Sequence, residues 1–176
     1  MERTDEELFA LVREHNDDTA FRELYRRYDK RLFGYCLRVM KTREAAEDAF
    51  QTILTRVFEK RESFIGGNFS AWLFTIAHNQ VINLKQKYNK NVTDIEEISY
   101  FLRDESDTTG EDTLLSEALK KAIQSLPEEF REPLELKHFD GFQYEEIAAV
   151  LKESESNIRQ IVSRSLRLLR GLTKKS

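Results

Sequence analysis

The sequence predicts an all-α protein: two small helical bundles joined by an acidic flexible linker, the C-terminal bundle containing a helix-turn-helix. Three observations carry this. Apolar residues recur at helical spacing almost throughout, and no alternating strand pattern appears. Only 6 Gly and 2 Pro interrupt 176 residues, which leaves room for long helices. The periodicity fails in one stretch, and that stretch holds the acidic excess. Residues 1–92 carry 16 basic and 14 acidic side chains, net +2; residues 93–117 carry 1 and 9, net −8; residues 118–176 carry 11 and 9, net +2. The formal charge of −4 therefore belongs to the linker, not to the folded parts. A hydrophobic fraction of 40%, with 12 Phe and 6 Tyr, supplies apolar bulk for two packed cores.

Thr4, followed three residues later by Glu7, forms a capping box that opens a first helix through Leu8, Leu11 and Val12. Asp17 or Asp18 caps a second, whose apolar face runs Phe21, Leu24, Tyr25, Tyr28, Leu32, Tyr35, Cys36 and Val39. Thr42 caps a third, with Phe50, Ile53, Leu54, Val57 and Phe58 inward. Gly66-Gly67 breaks the chain before a fourth helix from about Phe69 to Tyr88, which buries Phe69, Trp72, Leu73, Ile76, Ala77, Val81 and Leu84. These make a domain over 1–90. The linker, 91–112, is kept extended by its own charge, apart from an apolar island of Ile95, Ile98, Tyr100, Phe101 and Leu102. A second domain, 113–176, begins with a helix on Leu114, Leu115, Ala118, Leu119, Ala122 and Ile123. Pro127 ends it, and the next runs from Glu128 to His138, with Pro133 either kinking it or delaying its start. Asp140-Gly141 is a sharp stop. Two short helices follow, about Tyr144–Leu151 and Ser156–Leu169, separated by Lys152 to Glu155.

Several chemistries are disfavoured. One cysteine, Cys36, gives no intramolecular disulfide and no Cys-based zinc cluster, and reads as a small buried apolar residue. His15, His78 and His138 are dispersed without ligand spacing, so no metal site is expected. No phosphate loop, nucleophile elbow or catalytic acid pair appears, and neither an enzyme nor a cofactor is expected. MERTDEE is too acidic for a targeting peptide and no apolar run reaches 18 residues, so a cytoplasmic protein without membrane insertion is expected.

The segment FQYEEIAAVLKESESNIRQIVSRSLRLLRGL, Phe142 to Leu172, carries the clearest chemistry. A helix-turn-helix needs a short helix, a tight turn and a second helix held across the first. Ile147, Ala148 and Leu151 form the first inner face, and small Ala148 and Ala149 permit close crossing. Ile158, Ile161, Val162 and Leu166 seat the second helix. Ser156, Asn157, Arg159, Gln160, Ser163, Arg164 and Arg167 remain outward, and no acid follows Glu155. Arg and Gln can bond purine edges in the major groove, while Ser and further Arg hold phosphates. The turn favours a residue tolerant of positive φ, and Lys152 stands there.

Two segments, EDAFQTILTRVFEKRESFIGGNFSAWLFTIAHNQVINLKQK and SLPEEFREPLELKHFDGFQYEEIAAVLKESESNIRQIVSRSLRLLR, resemble the two domains of extracytoplasmic-function sigma factors, the small group of the primary-sigma-related family. The resemblance covers nearly all of the chain except the linker and the extreme ends. It rests on an order of motifs: an acidic-amide helix, F-x-x-W-L-F, a variable linker, S-L-P-E-x-F-R, D-G-x-x-Y-E-E-I-A and a basic helix. It implies a subunit that binds core RNA polymerase and directs promoter recognition, promoter melting and initiation. Asp48 and Gln51 match the face that docks on the β′ clamp helices; read from the residues alone they are a solvated polar face. The loop Phe64, Ile65, Gly66, Gly67, Asn68 and the following helix match the part that captures the minus-ten element as a single strand. There Asn68, Asn79 and Asn83 can bond base edges, and Lys60, Lys85 and Lys87 can hold phosphates. Gly66-Gly67 as a plain turn and Asn68 as a helix cap are the alternatives. The family's loop is often charged and longer, which leaves open the base read here. The helix-turn-helix would bind the minus-thirty-five element as duplex while touching the β flap. An anti-sigma factor is a further partner the family suggests.

A free-standing helix-turn-helix regulator is the competing reading, but residues 1–88 offer no ligand-pocket or receiver pattern for it. A purely helical interaction protein would leave the basic run after Glu155 without a role. If linker acidity mimics nucleic acid in the polymerase's basic channel, replacing the acids of 93–112 by Ser impairs initiation but leaves core binding intact. An unchanged initiation rate in run-off assays removes that role.

Overall fold

The computed structural model describes residues 2–89 and 110–173, those of 89, 110–116 and 173 as backbone. These residues form eight α-helices and one short 3-10 turn, without a strand, in two compact units of four helices. Most of the expected linker, 91–112, lies outside the described residues, and so does its apolar island. Its last three residues are already the first turn of a helix.

The first unit comprises α1 (Asp5–His15), α2 (Asp18–Met40), α3 (Arg43–Glu59) and α4 (Phe69–Asn89), with the 3-10 turn Arg61–Ser63 after α3. Each start has its cap. Thr4 Oγ1 accepts from the Glu7 N–H at 3.2 Å and Glu7 Oε2 accepts from the Thr4 N–H at 2.9 Å, the reciprocal box expected. Asp17 accepts from the Thr19 and Ala20 N–H groups, and Thr42 from that of Ala45. Each such cap contributes about 1 kcal/mol by satisfying donors that the first turn leaves free. Helix α2 packs against α1, α3 and α4, burying Leu24, Leu32, Tyr35 and Cys36.

Several expectations on the inner faces fail: Tyr25 is 40% exposed, and Trp72 and Leu84 are only half-buried. Val39 is only half-buried, and its neighbours Leu37 and Met40 carry the end of α2 inward. Phe58 is 47% exposed, with the Arg61 guanidinium lying 4.1 Å over its ring. It stands next to the last residue of α3, where the chain turns away and leaves the Arg61 guanidinium over its ring.

At the start of α4 four aromatic side chains meet. Phe9 of α1 lies 5.6 Å from Phe64, 4.8 Å from Phe69 and 5.1 Å from Trp72, centroid to centroid. Trp72 is therefore part of the packing, as its spacing indicated, rather than a free stacking platform.

The second unit comprises α5 (Gly110–Gln124), α6 (Glu128–His138), α7 (Tyr144–Leu151) and α8 (Glu155–Thr173), with α8 packed against the other three. Ile123, Leu126, Leu134, Leu136, Phe142, Ile147, Val150, Ile158, Val162 and Leu169 form its core. Helix α5 begins earlier than Leu114 and buries less than its pattern suggests. Ala118 and Leu119 are exposed and Ile123 is buried, on a helix that packs against α8. Helix α6 runs through Pro133, which is buried. The bond that Pro133 forgoes would have run to the carbonyl of Glu129, an exposed residue that water can serve. Gly141, at φ +67, closes α6, and the Phe142 N–H turns back to the Leu136 carbonyl at 2.9 Å.

The aromatic meeting point sets the first prediction from structure. Phe9→Ala lowers the unfolding free energy of the first unit by about 3–5 kcal/mol, whereas Phe58→Ala costs under about 1 kcal/mol. Trp72, the one tryptophan in the chain, reports this unit alone in urea titrations followed by fluorescence.

Candidate nucleic-acid interface

Helix α7, the turn 152–154 and helix α8 form the expected helix-turn-helix. Lys152 adopts φ 57°, ψ 43°, the left-handed geometry that the turn requires, and its N–H bonds the Ala148 carbonyl. The Glu153 N–H turns to the same carbonyl at 3.0 Å. Ser154 then accepts from the Asn157 N–H at 3.1 Å and starts α8. Glu146 of the Y-E-E-I-A run is buried, where its carboxylate accepts from the Gln143 N–H at 2.8 Å and fixes the entry to α7. The inner face of α7 is Ile147 and Val150; Leu151 is half-buried and Ala149 faces out, so Ala149 takes no part in the helix crossing.

On α8, Ser156, Arg159, Gln160, Ser163, Arg164 and Arg167 are all exposed, and Asn157 is half-buried with its amide donating to Glu153 at 2.8 Å. Ile158 and Val162 are fully inside, while Ile161 and Leu166 only flank the core. Their place is taken by Ser165. Its hydroxyl sits 2.9 Å from the Phe130 carbonyl of α6 and 2.8 Å from that of Ile161, fully buried. Positions 158, 162, 165 and 169 are one helical stripe, so the spacing carried that signal although the residue type hid it.

Arg159 is held before any ligand arrives. It pairs with Glu155 at 2.5 Å and lies 4.3 Å over the Tyr144 ring. Lys137 of α6 approaches the same ring at 4.5 Å, adding a cation that the helix-turn-helix segment alone did not reveal.

In the first unit, Asp48 and Gln51 are exposed one turn apart on α3, alongside exposed Glu44 and Glu47. Tyr88, near the end of α4, donates to Asp48 Oδ2 at 3.3 Å. Partial burial first, then the charges of Asp48 and Glu44, push the Tyr88 phenol above its ordinary range.

The loop between α3 and α4 departs from expectation at Phe64. That ring is 5% exposed within the aromatic group, so it cannot face a nucleic-acid strand; Ile65 beside it faces solvent instead. A loop residue preceding a Gly-Gly turn offers no periodicity from which its direction could be read. Gly66 and Gly67 take φ values of 120° and 97°, unsuited to other residues. Asn68 is the cap of α4: its Oδ1 accepts from the Ala71 N–H at 2.9 Å and the Ser70 hydroxyl at 2.8 Å. Asn79 and Asn83 are exposed one turn apart on α4, and Lys60, Lys85 and Lys87 are exposed as well. His78, by contrast, points inward to Tyr35, with its Nδ1 2.8 Å from the hydroxyl. Burial, then the Arg38 charge, push it below the usual imidazole range. Among the described residues no three His, Cys, Asp or Glu side chains are grouped to hold a metal ion.

Comparison with known proteins accounts for both units. A model of sigma-70 region 2 matches residues 24–91, and one of sigma-70 region 4 matches residues 116–169. Together they take in more than two-thirds of the chain. The extracytoplasmic-function sigma factor SigM of Bacillus subtilis is 25% identical over 151 residues, 85% of this chain and 93% of its own length. The sigma factor YlaC of the same organism is 28% identical over 166 residues, 91% of this chain and 95% of its own. A solved complex of the sigma factor RpoE with the anti-sigma factor NepR from Bartonella quintana aligns at a TM-score of 0.65 and 28% identity, over 88% of this chain and 96% of that one. CnrH, solved with the cytosolic domain of CnrY, shares the fold at a TM-score of 0.69 and 21% identity, over 98% of both chains.

The turn yields a test of its own. Lys152→Gly relieves a left-handed residue at some cost in unfolded-chain entropy, and stabilises the second unit by about 0.5–1 kcal/mol. Thermal unfolding followed by circular dichroism, with Lys152→Val as the destabilising counterpart, checks the sign.

Proposed function

This chain belongs to the sigma-70 family, as a sigma factor of the extracytoplasmic-function group, and on that premise we propose how its parts divide the work of initiation. The domain over 1–90 holds polymerase and melted DNA, 91–112 links, and the domain over 113–176 holds duplex DNA. The observation that carries this is the exposed face of α8. Six of seven expected reading residues stand clear of the core on a helix whose opposite side is fully packed. Arg159 and Gln160 read base edges of the minus-thirty-five element, while Ser156, Ser163, Arg164 and Arg167 hold its phosphates. Asn157, tied to Glu153, supports the turn more than it reads.

On α3, exposed Asp48 and Gln51 dock against the β′ clamp helices, with Tyr88 restraining the carboxylate. Asn79 and Asn83, flanked by Lys60, Lys85 and Lys87, capture the minus-ten strand, and Gly66-Gly67 allows its backbone to come close. Asn68 has its carbonyl committed to the cap and can offer only its amide N–H groups. The β flap is a second contact on polymerase for the C-terminal domain. RpoE's complex with NepR supports an anti-sigma factor as a regulatory partner here too. No helix among the described residues is long and apolar enough to cross a membrane, in keeping with a place in the cytoplasm beside polymerase, which supplies the nucleotidyl chemistry.

Run-off transcription with core polymerase on promoters from the source genome tests the assignment. Arg159→Ala costs about 1–3 kcal/mol of minus-thirty-five affinity, roughly 5- to 150-fold. Asp48→Ala with Gln51→Ala weakens core binding without changing the free protein's affinity for duplex. Tight duplex binding with neither core association nor any directed start hands the chain to the free-standing regulator reading.

A further inference from the structure

Helix α8 is basic along its length, yet it begins with an acid on its exposed face. Glu155 is its first residue, and the carboxylate accepts from Arg159 Nη2 at 2.5 Å, one turn along the helix. Glu before Arg at this spacing is the favourable order, and the carboxylate also meets the positive end of the helix dipole. The pair is open to solvent, with the Glu155 and Arg159 side chains 46% and 56% exposed, so a ligand can reach both. The Tyr144 ring, 4.3 Å from the guanidinium, covers a further side of Arg159. No ion pair ties Arg164 or Arg167, further along α8, among the described residues. The restraint falls on the one arginine nearest the start of the helix.

We propose that Glu155 is a specificity-determining residue of the minus-thirty-five contact. It reads the amino group of a cytosine beside the guanine that Arg159 reads, and on any other sequence it retains Arg159 in the ion pair. This rests on the reading of α8 as the helix that enters the groove. The first turn of a recognition helix is the part that meets base edges. A carboxylate brought there is repelled by phosphates, by guanine N7 and O6 and by thymine O4. Exocyclic amino groups suit it, and cytosine N4 stands without the acceptor that adenine N7 places beside N6. Breaking the Glu155–Arg159 pair leaves two charges in need of partners. A phosphate or a lone guanine satisfies only the arginine. A guanine with a cytosine on the next step satisfies both, because side chains one helical turn apart are about 5–6 Å from each other and successive bases about 3.4 Å.

The experiment offers promoters randomised across the minus-thirty-five element to holoenzyme made with the full-length wild-type, Glu155→Gln or Glu155→Asp chain, and sequences the bound templates. The wild-type chain enriches cytosine beside a guanine. Glu155→Gln lowers that cytosine preference about fivefold and shifts it towards adenine, whose N6 and N7 an amide meets together. It also raises the full-length chain's affinity for scrambled duplex about twofold, with a salt slope steeper by about one, because the released Arg159 gains a phosphate. Glu155→Asp, with the same charge on a shorter arm, loses the cytosine preference as well. An unchanged base preference in Glu155→Gln overturns reading by Glu155, and an unchanged salt slope overturns its hold on Arg159. A wild-type profile for Glu155→Asp reduces the effect to charge and removes the ion-pair exchange. Failure of the wild-type holoenzyme to enrich any duplex element defeats instead the reading of α8 on which the inference rests.

Discussion

The contact of Phe9 with Phe64, Phe69 and Trp72 is the constraint on which the first unit depends. It joins the first helix to the loop and the start of α4, which follow 55 or more positions later in sequence. Burying a Phe side chain is worth about 1.5–3 kcal/mol, and each well-set aromatic pair adds about 0.5–1.5 kcal/mol. Arg27 also ties α1 to α2, meeting Asp5 at 2.6 Å, Glu23 at 3.2 Å and Glu2 at 3.3 Å, and Tyr28 donates to Asp5. Those groups are partly solvated, so screening leaves their share well below that of the rings. The rings supply the energy and the polar bonds choose the register. Arg13 of α1 donates to the Phe64 carbonyl at 2.6 Å and the Phe69 N–H donates to Glu6 at 3.0 Å, bonds that place the loop backbone where apolar packing alone would let it slide.

The second unit solves a different problem, because one helix must be both core and, on the proposed assignment, reading surface. Helix α8 packs against α5, α6 and α7 on one side and presents Arg159, Gln160, Arg164 and Arg167 on the other. Such a helix cannot shift to meet DNA without dragging the core along, which favours a preset face. Ser165 shows how close the packing is. A hydroxyl bonded to backbone fits where α6 and α8 meet, and a Leu there would force the helices apart. Arg159 follows the same logic, being braced by Glu155 and Tyr144 before it meets any base. Bracing reduces the entropy lost on binding, though the Glu155 pair must loosen if the guanidinium is to turn fully to a base edge.

What the sequence made legible was local. Thr4 with Glu7, Asp17, Thr42, the span of α6 and the left-handed place of Lys152 all depend on residues within a turn or two, and all are found as expected. The exposed polar faces of α3 and α8 followed from periodicity in the same way. The failures lie where direction depends on distant chain. Phe64 faces inward because Phe9, 55 positions earlier, is there to receive it, and Arg13 reaches a carbonyl 51 residues away. Phe58 and Leu119 obey the apolar pattern yet lie in the open, since a pattern states which face could be buried and not whether a neighbour arrives. Ser165 fails in the opposite sense, its position inward and its residue type apparently not.

The charge distribution then bears on why such a chain works only in company. Its folded parts are each close to neutral, and the net −4 of the chain lies in residues 90–109 between them. A helix-turn-helix with three exposed arginine contacts, Arg159, Arg164 and Arg167, can gain only a modest phosphate term, and physiological salt removes much of it. On the proposed assignment, the strand-capturing face of the first unit meets its ligand only after bases have left the stack, so it adds nothing to duplex binding. Neither face alone amounts to tight promoter binding. Once polymerase holds the proposed docking face of α3, however, both faces act at high effective concentration, and two weak sites multiply rather than add. An acidic segment between them weakens binding of the free chain to non-specific DNA by like-charge repulsion while costing little once both sites are engaged. Selectivity for a promoter thus arises from the requirement that three modest contacts be made at once.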